Sequence, residues 1–403
     1  MAQDIWQLKT FIHNLSNRKM YKKRVVFWAA CSGMLLFGIS LITLGSVASD
    51  LREKLQLDAI SAGTLFSILP LGILTGSLLF GPIVDKYGYR ILLSISCLFM
   101  FVGFEGIAFA PSTGLLKIFI YLFGLGGGAV NGATNALVAD ISDKDKVANL
   151  SLLGVFYGIG ALGMPLVSGI LESIFNFETV LSAVGILTFA IGMLFLFIKF
   201  PPPKQSQGFP ISSSIRLIKD KILILIAFFL FFQSGFEAII NNWTTTFLIK
   251  QQSVLPRNAL YALSLFVAGM TVMRLLTGSI FRTVSAKKLL VSSFGLMLLG
   301  LILIKTGSLF SLSVIGLVLL GAGLANGFPV MLGIVGNRNA EFSGTAFSLV
   351  LFIALIGNFL INYGMGIVAQ NFGIHHLITF AFAETFIMIA LCLIILNKIK
   401  NIN

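Results

Sequence analysis

A chain of 403 residues that is 57% hydrophobic and only 11% charged is not a soluble globular domain, because its surface would have to carry very large apolar patches. Its net charge of +13 would point to nucleic acid in a soluble protein. Here the Lys and Arg residues gather in short loops between apolar runs, so nucleic-acid binding is set aside and the charge is read as membrane topology.

The apolar material comes in runs of about 20 residues, the length that crosses a hydrocarbon core roughly 30 Å thick. Twelve spans are predicted in chain order, at 25–47, 60–82, 89–110, 115–140, 148–171 and 178–200, then 221–249, 258–281, 287–307, 309–335, 342–368 and 375–397. The N-terminus, the loops after even-numbered spans and the C-terminus together hold 21 of the 28 Lys and Arg residues. The opposite loops hold six (Arg52, Lys54, Lys117, Lys250, Arg257, Lys305), and Arg274 lies within a span. That asymmetry predicts both termini in the cytoplasm. The basic start, with Lys9, Arg18, Lys19, Lys22, Lys23 and Arg24, precedes a span too long for a signal peptide and reads as a cytoplasmic tail that stays attached. Cys31, Cys97 and Cys392 fall in apolar runs, so packing is expected of them and no disulfide or metal framework.

Pro201-Pro202-Pro203-Lys204 interrupts the pattern between spans 6 and 7. Proline stops a helix and removes backbone donors, so 201–220 reads as an aqueous linker. The expected organisation is a tail (1–24), a six-helix bundle (25–200), the linker, a second six-helix bundle (221–397) and a short tail (398–403). The halves repeat. Span 4 carries GGGAVNG (Gly126 to Gly132) and span 10 carries GAGLANG (Gly321 to Gly327), 195 residues apart. The loops beginning at Gly81 and Gly278 are 197 apart. The fold class is therefore all-α integral membrane, with twelve transmembrane helices in two pseudo-symmetric six-helix bundles around a midplane site.

After span 2 the chain reads GPIVDKYGYR, Gly81 to Arg90. Gly81 lets helices approach and Gly88 permits a tight turn. Asp85 can face a helix N-terminus or a cation, with Lys86 and Arg90 supplying partners. This stretch resembles the signature of the major facilitator superfamily, Gly-x-x-x-Asp-Arg/Lys-x-Gly-x-Arg, at its expected place. The resemblance implies a transporter in which Gly81, Asp85, Lys86, Gly88 and Arg90 latch a cytoplasmic gate. The competing reading is a basic loop that merely contains Gly and Asp. The second copy, Gly278 to Lys288, has Arg282 in the Asp position, Ser285 for the second Gly and Lys287 for the Arg, so only a topology-anchoring role is expected of it. Within the superfamily, GLGGGAVNGATNALVADIS (Gly124 to Ser142), SGFEAIINNW (Ser234 to Trp243), GFPVMLGIV (Gly327 to Val335) and SGTAFS (Ser343 to Ser348) resemble the fucose/glucose-galactose permease group.

Polar residues inside the spans are the candidate site, since a charged side chain at a helix centre costs about 2.5–3.5 kcal/mol on insertion scales. Gln233, Glu237 and Asn241 form an i, i+4, i+8 stripe on span 7, followed by Asn242 and Trp243. Amides and a carboxylate beside an aromatic plate suit the hydroxyls and ring face of a sugar. The bland alternative is an interhelical polar clamp. Asn131 and Asn135 on span 4, Asn326 on span 10 (read as the repeat of Asn131), Asn358 and Asn362 on span 11, and Tyr157 on span 5 are further candidates for solute contact, with helix-to-helix glue as the rival role. Arg274 either pairs with Glu237 or packs near the second motif copy. Glu384 on span 12 reads as a packing residue, and Glu105 and Glu172 as interface residues near outer ends. GIGALGMPLVSG on span 5 (Gly158 to Gly169) resembles the Gly/Pro-rich stretch of some exporters.

The function expected is secondary active transport of a small polar solute, a sugar favoured, by alternating access. Fucose-type permeases place carboxylates on helices 1 and 4, and this chain has none there, which leaves Glu237 with Arg274 as the coupling candidate and proton, sodium or no ion as the alternatives. The rivals are export of an amphipathic metabolite or drug, suggested by 38 Phe, and a non-transporting membrane receptor. No cofactor, metal or catalytic residue is expected. His13, His375 and His376 lie apart from any nucleophile, so an enzyme is the least favoured reading. A monomer in a bacterial cytoplasmic (inner) membrane is the family's default.

Overall fold

The computed structural model describes residues 21–56, 59–142, 145–171, 174–204, 217–307 and 309–400. The expected basic tail up to Met20, the middle of the linker (205–216) and Glu172 lie outside those residues. Among the described residues there is no strand, and twelve helical segments are long and apolar enough to cross a membrane. They are α1 (Lys23–Ser46), α2 (Ala59–Tyr87), α3 (Tyr89–Phe109), α4 (Thr113–Ile141), α5 (Lys146–Leu171), α6 (Phe177–Phe197), α7 (Lys221–Gln252), α8 (Pro256–Ser279), α9 (Ala286–Thr306), α10, α11 (Ser343–Asn371) and α12 (Leu377–Lys400). A short helix, Ala48–Lys54, follows α1.

The start signals are local chemistry. Asn176 caps α6 by accepting from the Thr179 amide at 3.1 Å, and Asp220 caps α7 by accepting from the amides of Ile222 (2.9 Å) and Leu223 (3.4 Å). Pro256 opens α8, where a missing N–H costs nothing. The expected span 10 is not continuous: α10a (Phe310–Leu324) and α10b (Gly327–Arg338) are separated at Ala325 and Asn326. Pro329 has no N–H to return to the Ala325 carbonyl, and a side chain of α7 takes the Leu324 carbonyl instead: Gln233 Nε2 donates to it at 3.0 Å.

The chain forms two compact units, residues 1–141 with 163–210 and 341–345, and residues 142–162 with 211–340 and 346–403. In the first, α4 is central and packs on α1, α2 and α3, while α3 also packs on α6. In the second, α10a packs on α8 and α9, and α12 packs on α7 and α9. Glycines set the closest approaches. A Cβ on Gly124 would lie 2.5 Å from the Leu69 carbonyl oxygen, and one on Gly321 would lie 2.0 Å from that of Phe266.

These contacts correct the repeat register. Gly124 meets Leu69 and Ile73, while Gly321 meets Phe266 and Met270; Gly126 meets Ser96 and Met100, while Gly323 meets Ser293 and Met297. Every pair is 197 residues apart, the spacing of Gly81 and Gly278 and not the 195 read from the glycine strings. Asn326 is therefore not the counterpart of Asn131; Phe328 is.

Candidate functional site

In the second unit, α7 presents Glu237 half-buried, with Asn241 and Trp243 half-buried a turn or more further on and Asn242 exposed. The Trp243 indole N–H donates to Asn362 Oδ1 on α11 at 3.0 Å, which fixes the ring plane against α11. One turn earlier on α11, Asn358 Nδ2 donates to the Ser234 carbonyl at 3.1 Å. The α11 amides thus hold α7 in register, while the Asn241 and Asn242 side chains have no hydrogen-bond partner among the described residues. Among the described residues, Glu237 has no hydrogen-bond donor and no ion pair. Arg274 on α8 and Tyr157 on α5 are its electrostatic neighbours.

Arg274 is buried, 8% exposed. Its Nη1 reaches the Gly154 carbonyl only at 3.4 Å, and its Nε has no partner among the described residues. A Cβ on Gly154 would stand 2.9 Å from Arg274 Cδ, so the absence of a side chain there is what admits the guanidinium to the α5–α8 seam. A half-buried carboxylate and a buried guanidinium with spare capacity, electrostatic neighbours of one another and of a phenol, can bind a polyol or exchange a proton or cation.

Two candidates change character. Gln233 is 2% exposed and donates an amide N–H at the α10 break, so it stabilises a helix interruption, while its Oε1 has no partner among the described residues. Asn326 is 2% exposed, accepting from Thr277 Oγ1 at 2.7 Å and donating to Ser293 Oγ at 3.1 Å, so it clamps three helices. In the first unit, Asn135 Nδ2 donates to the carbonyl (2.9 Å) and side-chain oxygen (3.1 Å) of Asn131, which fixes the two amides against each other. Glu384 is buried in α12 with no donor to either oxygen among the described residues, and Glu105 accepts from Ser182 Oγ at 2.9 Å.

At the end of the molecule that carries the linker, Asp85 is 1% exposed and accepts from the Gly344 amide (3.2 Å), the Thr345 amide (2.8 Å) and Thr345 Oγ1 (2.7 Å). The carboxylate caps the N-terminus of α11, where orphan N–H groups and the helix dipole favour an anion. Gly88 takes φ +82°, the left-handed turn expected of it, and Gly81 lies against Gly344. The cation expected beside Asp85 is corrected. Arg90 is exposed and has no ion pair among the described residues, and Lys86 lies over the Tyr87 ring at 5.0 Å. The positive neighbour of Asp85 is Lys204. Lys204 Nζ stands 2.7 Å from Asp140 Oδ1 and 2.5 Å from Ser343 Oγ, and the Tyr89 hydroxyl donates to Asp140 Oδ2 at 2.5 Å. Sequence reasoning missed Lys204, Asp140 and Tyr89; the one local signal was a Lys held at the end of a stiff triproline.

The second motif copy does more than anchor topology. Arg282 donates to Asp145 Oδ2 at 3.1 Å and to Asn149 Oδ1 at 3.3 Å, at the start of α5. The charge-reversed copy reaches a helix N-terminus through an acid placed just before it. The far end of the linker is also pinned: Asp220 accepts from Arg338 Nε at 2.9 Å. Burial pushes the Asp220 carboxyl up, but the Arg338 guanidinium and the Ile222 and Leu223 amides outweigh that and hold it below its ordinary value.

Residues 29–303 match the sequence profile of the Major Facilitator Superfamily. The chain belongs to this superfamily. The facilitator is 31% identical over 145 residues to a D-xylose transporter of Levilactobacillus brevis, covering 35% of this chain and 32% of that protein. It is 24% identical over 342 residues to the glucose/mannose transporter GlcP of Bacillus subtilis (strain 168), covering 82% of this chain and 84% of that one. The match thus spans about a third of the first relative and most of the second. The crystal structure of the E. coli fucose:proton symporter FucP superposes with a TM-score of 0.74 over 91% of this chain and 98% of that one, at 16% identity, which shows the shared fold. The facilitator is a multi-pass membrane protein whose relatives are transporters, not enzymes.

Proposed function

We propose that this facilitator moves a sugar across the membrane by alternating access, with the solute held by Glu237, Asn241, Asn242 and the Trp243–Asn362 pair. The observation that carries this is the half-buried Glu237 carboxylate with the Asn241 and Asn242 amides on α7, the same helix whose indole is fixed by α11, the group types that bind hydroxyls and a pyranose face. The named substrates of the xylose and glucose/mannose relatives support it. Asn131, Asn135, Tyr157 and Asn358 are further candidates for solute contact in this reading.

Glu237 and Arg274 are the coupling pair in this reading: each lacks its full set of partners, so a proton or sodium ion arriving at Glu237 changes the balance between them. The Asp85 cap on α11 is the cytoplasmic latch that alternating access must break. Both termini lie in the cytoplasm of a bacterium whose inner membrane holds the facilitator as a monomer, with bundles at 25–200 and 221–397 joined by a cytoplasmic linker.

The test is counterflow of radiolabelled D-glucose and D-xylose into vesicles reconstituted with the purified protein. Saturable counterflow that falls in Trp243→Ala supports the proposal. No counterflow of either sugar, with efflux of an amphipathic dye instead, selects export; ligand binding without any flux selects a receptor.

A further inference from the structure

The inter-bundle linker touches the molecule at both ends in a way that a passive tether does not need. At its far end Asp220 pairs with Arg338, at the tip of α10b. At its near end Lys204 pairs with Asp140, at the tip of α4. The near contact is the more deeply set: the Lys204 and Asp140 side chains are 26% and 9% exposed, and Pro203 Cδ lies 3.6 Å from the Cβ position of Gly88, the left-handed residue of the motif turn. The proline ring fixes its own φ, so the Lys204 ammonium is delivered from a stiff support.

What it is delivered to is an otherwise unfavourable arrangement. Asp85 and Asp140 are electrostatic neighbours and both are shielded from water. The motif's own Arg90 faces outward, so the positive charge common to both acids is that of Lys204. Its second contact, to Ser343 Oγ, falls on the first residue of α11, next to the two amides that Asp85 caps. Withdrawing one member of a buried charge set leaves the others uncompensated.

We infer that Lys204 is a positioning residue of the latch: the first charged residue of the linker supplies the cation that holds Asp85 on the α11 N-terminus. Loss of the Lys204 contacts and release of the latch are then one event. This rests on the reading of the Asp85 cap as a latch, and the experiment separates the two.

Hydrogen exchange of the purified full chain reads the latch directly, because the Gly344 and Thr345 amides are protected only while Asp85 accepts from them. Lys204→Met is expected to speed exchange over residues 343–346 by about tenfold or more, and Lys204→Arg to restore most of the protection. Asp85→Asn is expected to act like Lys204→Met, with peptides from α9 unchanged in all variants as the control for folding. Faster exchange in Asp85→Asn but not in Lys204→Met would overturn the role of Lys204 and leave the latch standing. Unchanged exchange in both would overturn the latch and this inference together. Exchange in Lys204→Arg as fast as in Lys204→Met would show that the charge is not what matters, and would also overturn it.

Discussion

Exchanging Arg274 for Met tests whether buried Arg274 and half-buried Glu237 are one site or two. The structure bounds the answer. The guanidinium is 8% exposed and the two groups are electrostatic neighbours, yet no ion pair forms within 4.0 Å. At an effective dielectric of about 20, unit charges at about 4 Å attract by roughly 4 kcal/mol, which is a ceiling for this pair; at about twice that distance the figure is roughly 2 kcal/mol. Arg274→Met and Glu237→Gln should each destabilise the protein, because each leaves the other charge with less compensation. The double variant should recover much of the loss, with a coupling of about 2–4 kcal/mol. In thermal unfolding followed in detergent, about 1 °C per kcal/mol for a chain of 403 residues makes that roughly 2–5 °C between the double variant and the sum of the singles. Strict additivity would refute the pairing, leaving Arg274 held by the Gly154 carbonyl alone.

Further outcomes follow from particular contacts. Gly321→Ala places a Cβ 2.0 Å from the Phe266 carbonyl oxygen, whereas Gly364→Ala on α11 meets nothing within 4 Å. The first should lose about 1–3 kcal/mol in thermal unfolding and the second should be neutral or slightly stabilising. Asn362→Leu removes the acceptor of the Trp243 N–H and should weaken sugar binding about tenfold in a titration of the purified protein, as loss of about 1.4 kcal/mol requires. The Asp220 carboxyl is held below its ordinary value of 3.8, so its contribution is present above that pH and is lost as pH falls through the lower folded value. Melting temperatures of wild type and Asp220→Asn should therefore differ at neutral pH and converge in acid; a gap that persists to about pH 2 would contradict the assignment.

The twelve spans were legible because lipid imposes their length and apolar content. The Gly88 turn was legible because glycine permits positive φ, and the helix-terminus role of Asp85 was one of the two uses its charge allows. The repeat register was not legible. Gly-x-Gly strings align at two offsets when no side chain distinguishes them, and only their partners, Leu69 with Phe266 and Ser96 with Ser293, decide. Nor could the sequence separate amides that face a pathway from amides that lock helices. Asn326 and Asn362 look alike in one dimension, yet the first is spent on Thr277 and Ser293 while the second orients an indole. Lys204 was hidden because its partners, Asp140 and Ser343, are 64 and 139 residues away.

Counterflow in reconstituted vesicles, run for wild type beside Trp243→Ala and Asp85→Asn, bears most directly on the transport assignment. The account predicts saturable entry of labelled glucose or xylose against an unlabelled internal pool, weakened in affinity by the first change and slowed in turnover by the second. Entry no faster than in empty vesicles, for a protein shown to be folded, would contradict it.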